Sequence, residues 1–533
     1  MTRVVVVGGG AAGAPLAARL SEDPDREVVL VEAGPAPERF PADLLDGTTV
    51  QGAMPGHPYS WSYLGHLTPD LPYTIARGRV LGGSSAINGG YFVRARPGDF
   101  ERWADAAGPA WSYERALPVL TALESDRDYG SREGHGASGP MPVARPRQDG
   151  VVTSAFTAAA RELGFADEPD KNVPGAPGIG PVPANVIEGV RVNTALAYLA
   201  DARARPNLRI VADTRVLRVR FEGERAVGVE TTAGVIEGDE VVLCAGAIGT
   251  PHLLLASGVG PRAHLESVGV RVVSDLPVGE AFSDHSDISV GWKARRPVFD
   301  PGERFAFPTA LNLDSGVGGA ASGAADGDLE VLLSVKPLGY LLTGSTRTFA
   351  GGLRAVARHP IRTLRGIRGA SARRMAAQIA HGDDLQLIVG LQRPDGRGSI
   401  TLQSADASAP PRIDYRYLEE ESDLARMRVG IRTAAALLRS DAFGGLLDRL
   451  TELDDATLDD DARLDAWMRA HLGTAIHLCG SAPMGPVLDG EGRVHGVEGL
   501  RVADTSMLPD VPSRGPFATA VFIGEHVARL MRG

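Results

Sequence analysis

The sequence is poor in cysteine. Its 533 residues contain two, Cys244 and Cys479. Two cysteines build neither a disulfide framework nor a cysteine metal cluster, so no metal site is expected. A basic balance is also missing. The formal net charge is −11, which argues against a broad nucleic-acid surface. No apolar run reaches the length of about 20 residues that crosses a bilayer. Met1-Thr2-Arg3 leads directly into the first predicted strand, so no secretory segment is expected. No internal repeat is evident. The expectation is a cytoplasmic protein, soluble or peripheral at the inner face of the cell membrane. What is present is ordinary for a globular chain: 43% hydrophobic and 23% charged residues, at a length sufficient for two domains with a sizeable core.

The stretch Arg3 to Gly34 is the most informative. Val4 to Val7 are four consecutive β-branched residues, suited to a parallel strand buried on both faces. Gly8, Gly10 and Gly13 follow at G-x-G-x-x-G spacing, then an Ala/Leu-rich run and a second apolar strand ending at Glu32. Between strand and helix this spacing is a dinucleotide fingerprint. Gly8 permits the tight turn, Gly10 lets the backbone approach a pyrophosphate, and Gly13 lets helix and strand pack closely. The helix N-terminus offers free N–H groups to phosphate. Glu32 would accept hydrogen bonds from a ribose and repel a 2′-phosphate. This stretch alone does not separate FAD from NAD.

Residues 35 to 74 are rich in Pro, Gly and Asp, and read as a surface excursion with little regular structure. Gly78 to Gly90 packs five glycines, Ser84, Ser85 and Asn88 around a short apolar core. That composition suits backbone packed tightly on a ligand. Glu240 to Ala247 reads as a buried strand ending in small residues, with Thr250 as N-cap and Pro251 at the first position of the next helix. Alternation predicts strands at 214–219 and 225–230. Leu385 to Val389 and Gly398 to Leu402 read as two strands around an Arg/Pro/Asp/Gly turn, and Leu424 to Leu438 as an amphipathic helix. Asp459-Asp460-Asp461 reads as a solvated helix start. Between Glu330 and Asp383 there is no acid, but Lys336 and eight arginines from Arg347 to Arg374. The plainer reading of this basic helical segment, 346–380, is a cationic lid over a cleft. The other is a surface for docking on a membrane.

The run from Gly78 through Asn88 and Phe92 to Glu101 resembles the first signature of the glucose–methanol–choline (GMC) oxidoreductases, and Gly246 to Gly260 resembles the second. The resemblance covers nearly the whole chain. It implies an α/β fold, α+β overall. A discontinuous Rossmann-type FAD domain would span 1–130, 190–290 and 470–533. A substrate domain of antiparallel sheet and helices would span 131–189 and 291–469. It further implies that FAD is bound by Gly8, Gly10, Ala12, Gly13, Glu32, Arg79, Gly83, Ser84, Asn88, Gly89, Val216, Ala245, Asp504 and Phe517. Arg191 to Ala195 resembles the segment leading into a helix beside the flavin, and Leu276 to Glu280 with Asp284-His285 the one that closes the nucleotide domain.

His477-Leu478-Cys479-Gly480-Ser481 is similar to the family's catalytic H-x-x-G-T, with Ser481 in place of Thr. The resemblance places His477 over the flavin as the base that takes an alcohol's proton. Most members carry a second His or Asn further on. Here that position falls at Gly515, which leaves His477 alone or assisted by Ser513 or Arg514, the latter able to hold an anionic substrate. Gly89-Gly90-Tyr91-Phe92, His477 to Gly480 and Pro512 to Pro516 together resemble the branch associated with mycofactocin, whose members are taken to re-oxidise reduced mycofactocin and pass electrons toward respiration. The alternatives are oxidation of a sugar, sterol or simple alcohol, a lyase reaction on the same fold, and a binding module without catalysis.

Overall fold

The computed structural model describes residues 2–532 apart from 301, 319–325 and 345–380. The basic segment 346–380 therefore lies outside the described residues. Lys336, which borders it, is fully buried, with Nζ donating to the Asp300 carbonyl at 2.9 Å. It forms no part of an exposed cationic face.

Five parallel strands form the first sheet, in the order Leu208–Val211, Arg26–Val31, Thr2–Val7, Glu240–Leu243, Leu500–Val502. Val4, Val5 and Val6 are completely buried, as expected of a strand covered on both faces. The helices Gly13–Leu20 and Phe517–Leu530 cover one face and touch at Gly524. A Cβ there would lie 2.2 Å from the Ala12 carbonyl oxygen. Val216–Glu222, Arg225–Thr231 and Gly234–Glu237 form a small antiparallel sheet beside it.

The second layer is antiparallel. Ser286–Ala294, Leu385–Leu391, Leu329–Ser334 and Thr309–Leu313 are its central strands, flanked by Leu447–Leu450, Ile179–Pro181 and Leu472–Thr474. The helix Glu421–Arg439 lies across this sheet with Gly430 against Val389. The fold is thus a parallel Rossmann-like sheet joined to an antiparallel sheet with helices.

Three local expectations are corrected. The stretch 35–74 is not all irregular: Ser60–Thr68 and Leu71–Gly78 form a hairpin. Its Trp61 and Tyr63 alternate with polar residues, a strand pattern hidden among prolines and glycines. The segments near 385 and 400 are not one hairpin. Ser399–Thr401 pairs with Arg412–Asp414, which joins the Ser60–Thr68 strand. The intervening turn is diverted by buried charge: Asp423 accepts from the Asp395 and Gly396 N–H groups, and Arg426 donates to the Arg393 carbonyl and to Asp395. Finally, the helix expected to start at Thr250 starts at Gly246 and runs to Ala256, so Pro251 lies inside it. The Ala247 carbonyl, which Pro251 cannot serve, accepts instead from the Ser481 hydroxyl at 2.7 Å.

Candidate active site

The nucleotide-binding corner is built by close backbone approach. Gly8 has φ +102°, and a Cβ there would lie 2.5 Å from the Cys244 carbonyl oxygen. A Cβ on Gly13 would lie 1.9 Å from the Gly8 carbonyl oxygen. Both positions therefore exclude any side chain. Gly10 differs: its Cβ direction meets only the Gly83 Cα, at 3.8 Å. Gly246 has nothing within 4 Å. These are open cradles at the starts of two helices, Gly13–Leu20 and Gly246–Ala256, whose first N–H groups have no partner within the helix.

Glu32 follows the second strand and is 5% exposed. Its Oε2 accepts from the Gly9 N–H at 2.9 Å and its Oε1 from Gly34 at 2.8 Å. Burial pushes its carboxyl up to about 7, against the pull of those N–H groups and of Arg79. Each oxygen keeps a lone pair for a ribose hydroxyl. The Glu32 carbonyl accepts from Thr214 N–H, which brings Val216 to the same corner. Arg79 lies over the Trp61 ring at 5.0 Å.

Gly83, Ser84, Asn88 and Gly89 lie on the loop facing Gly10. The Ser84 hydroxyl accepts from Gly78 N–H, the Asn88 side-chain carbonyl accepts from Gly90 N–H, and Gly89 lies under the Phe307 ring. Asp504 and Ala245 meet at the second helix start. Asp504 Oδ2 accepts from Gly246 N–H at 2.8 Å and the Thr250 hydroxyl at 2.6 Å, while that hydroxyl accepts from Ala245 N–H. Asp504 thereby fixes the helix end, and burial holds its carboxyl above the usual range. Phe517 packs edge-on against Phe92, with ring centroids 5.2 Å apart.

On the substrate side, His477 Nδ1 lies 2.9 Å from His285 Nδ1. The tautomers follow from the next partner. His285 Nε2 faces the Pro512 carbonyl at 2.9 Å, and a carbonyl only accepts. His285 Nε2 therefore carries a proton. Burial holds His285 down at about 4, so it is neutral near pH 7 and its Nδ1 is a bare acceptor. His477 must then donate through Nδ1–H, which leaves its Nε2 lone pair free for a substrate proton. Burial, with help from His285 and Arg77, also holds His477 well below the ordinary range, so its ring is neutral too.

Gly515 lies beside this ring. A Cβ there would lie 3.4 Å from His477 Cε1 and 3.1 Å from Tyr91 Cδ1. The Tyr91 hydroxyl donates to Glu330 Oε2 at 2.6 Å.

Ser513 and Arg514 are turned elsewhere. Ser513 donates its N–H and its hydroxyl to Asp99. Arg514 is fully buried, donates to the Ser513 carbonyl, and has Nη2 3.8 Å from Glu168 Oε1. Ser513 fastens the loop behind the site to Asp99, and Arg514 is buried beside Glu168 rather than beside His477. His285 is the residue that motif reading left out of the chemistry, although Asp284-His285 stood out as a pair.

Among the described residues, Glu124, Asp126 and His135 come within metal-binding distance of one another. Arg94 and Arg145 stand against these carboxylates at 2.7 Å, and Asp170 lies 2.8 Å from His135 Nε2. The group is an ion-pair network.

The open glycines, the acid at the ribose corner and the two helix starts fit an FAD. Residues 2–287 match the N-terminal GMC oxidoreductase family and 394–524 the C-terminal one. An uncharacterised GMC-type oxidoreductase of Rhodococcus erythropolis is 38% identical, over 99% of this chain and 98% of its own length. An oxygen-dependent choline dehydrogenase of Klebsiella pneumoniae is 33% identical, over 99% and 95%. Pyridoxine 4-oxidase from Mesorbium loti superposes with a TM-score of 0.84 at 29% identity, covering 100% of this chain and 99% of its own. The chain belongs to the GMC oxidoreductases, FAD-dependent enzymes that act on CH–OH donors.

Proposed function

We propose that the protein is a dehydrogenase in which His477 takes the hydroxyl proton of an alcohol- or hydroquinone-type donor. Bound FAD supplies the oxidant that accepts the hydride. The observation that carries this reading is the His285–His477 pair, which leaves His477 neutral with Nε2 unprotonated. Proton acceptance by the ring needs no prior deprotonation, and Nδ1–H keeps its acceptor throughout. The fourteen residues read from the dinucleotide fingerprint and from the resemblance hold the cofactor in this proposal. Residues 1–130, 190–290 and 470–533 form its domain.

The finer reading is that the donor is reduced mycofactocin, with electrons passed toward a respiratory chain at the inner face of the membrane. The resemblance at Gly89 to Phe92, His477 to Gly480 and Pro512 to Pro516 supports it. No helix among the described residues is long and apolar enough to cross a membrane. A second reading, a choline-like cationic alcohol, is favoured by the Glu330 carboxylate behind Tyr91 and by the choline-acting relative.

The test is anaerobic bleaching of the flavin by reduced mycofactocin, choline, pyridoxine and benzyl alcohol. Bleaching by mycofactocin at least tenfold faster than by the others supports the first reading. His477→Ala is expected to slow bleaching about 10³-fold with FAD retained. An unchanged rate in that variant would show that the base lies elsewhere.

A further inference from the structure

The residue before His477 has an unusual backbone. Ile476 has φ +60° and is the only β-branched residue with positive φ among those described. For a β-branched residue this conformation is disfavoured by roughly tenfold or more, so the surroundings must impose it.

The cause is a mismatch between two chain segments. Ser286 pairs with Thr474, and Ser283 with Cys479. Asp284 and His285 on one side therefore oppose Ala475, Ile476, His477 and Leu478 on the other. The two surplus residues bulge out of the ladder. The bulge is held by hydrogen bonds that converge on Asp284, which is 2% exposed. Its Oδ1 accepts from the His477 N–H at 2.6 Å, and its Oδ2 accepts from the Thr474 hydroxyl at 2.9 Å. That hydroxyl in turn accepts from the Ile476 N–H at 2.9 Å and the Tyr417 hydroxyl at 3.0 Å, which uses both its lone pairs. Arg77 donates to the Ile476 carbonyl at 2.8 Å.

We propose that Asp284 is a positioning residue for the oxidation: its two oxygens lock the bulge that holds Ile476 left-handed and so point the His477 ring at His285 on one side and the donor on the other. The adjacent pair divides the task. Asp284 sets the backbone of His477, and His285 sets its tautomer. The inference rests on His477 being the base. Both carboxylate oxygens act as acceptors, so an amide cannot replace them. Its NH2 would face either an N–H or a hydroxyl with no lone pair left.

The test uses the FAD-loaded protein with ¹⁵N-labelled histidine, so it needs no donor. In the wild type, the His477 signal is that of one tautomer with the proton on Nδ1. Asp284→Asn is expected to give a mixture, and to raise hydrogen exchange of the 474–480 peptide at least tenfold. Adding Ile476→Gly, which tolerates positive φ, is expected to restore most of the single tautomer. Where a donor bleaches the flavin, Asp284→Asn should lower the limiting rate about tenfold with KM changed less than threefold, and Ile476→Gly should recover part of it. An unchanged tautomer in Asp284→Asn overturns the proposal, as does a shifted tautomer that Ile476→Gly does not restore. Failure of the underlying reading is distinct: His477→Ala would then bleach normally, whatever Asp284 does.

Discussion

The cofactor corner and the substrate side are built from opposite materials. The corner is backbone against backbone: Gly8 on Cys244, Gly13 on Gly8, Gly83 on Gly10. Its specificity lies in the absence of side chains. The substrate side and the region behind it are charged and polar side chains buried on one another. Tyr91, Glu330, Asn312, Lys171 and Glu168 form one chain of hydrogen bonds, and Arg514 stands beside its end. A backbone cradle reads a feature shared by every substrate's reaction, the dinucleotide. Side chains differ from one relative to another more readily than backbone does, although each member of this hydrogen-bonded chain leans on the next. The comparison teaches where tolerance should lie: low in the cradle, higher among the side chains.

The sharpest way to break the comparison is Gly13→Ala. With its Cβ 1.9 Å from a carbonyl oxygen, the helix must shift, at about 3 kcal/mol or more. The purified protein is expected to lack flavin absorbance. Retention of stoichiometric FAD would show that the cradle tolerates change after all. His285→Phe probes the other material. It keeps an aromatic ring but removes the acceptor for His477 Nδ1–H, and should slow flavin reduction about 10²-fold at full FAD occupancy, a loss of rate without loss of cofactor.

The third effect is on stability against pH. Burial would lower His135, but Asp126, Asp170 and Glu124 overcome it and raise the ring to about 10. A folded-state pKa above the unfolded value of about 6.5 stabilises fully below that value, and the gain is lost as pH rises through 10. The melting temperature should therefore fall by several degrees between pH 7 and pH 10, and His135→Ala should flatten that fall. An equal slope in both proteins would remove His135 from the account. The smallest effect is Ser481→Ala, which strands the Ala247 carbonyl. It should cost about 1–2 kcal/mol, read as a lower melting temperature with the spectrum of bound flavin unchanged.

The same contrast governs what the sequence made legible. Val4 to Val7, the three glycines and Glu32 are contiguous, and their spacing is dictated by one helix and two strands. They could be read directly, as could the helix ending at Arg439. Gly515 was visible as a departure from a family pattern. The hairpin Ser60–Gly78 was not, because its alternation is broken up by residues that also mark loops. The partnership of His285 with His477 spans 192 positions, and no local period records which side chains two distant strands bring together. The partners of Ser513 and Arg514, Asp99 and Glu168, were hidden for the same reason: they lie hundreds of positions earlier in the chain.

The hydroxyl that Ser481 lends to the Ala247 carbonyl also constrains how this enzyme can change. The helix whose N-terminus closes the cofactor cradle has a proline where a donor should be, and the missing bond is supplied by the loop that carries His477. The loop cannot be replaced independently of the helix. A new loop register would orphan a carbonyl in a dry interior, whereas a helix sequence without Pro251 would give that carbonyl a second donor, for which it has a lone pair. Exchange at position 481 therefore favours residues with a β-hydroxyl, serine or threonine, and any other residue there weakens the joint by one hydrogen bond.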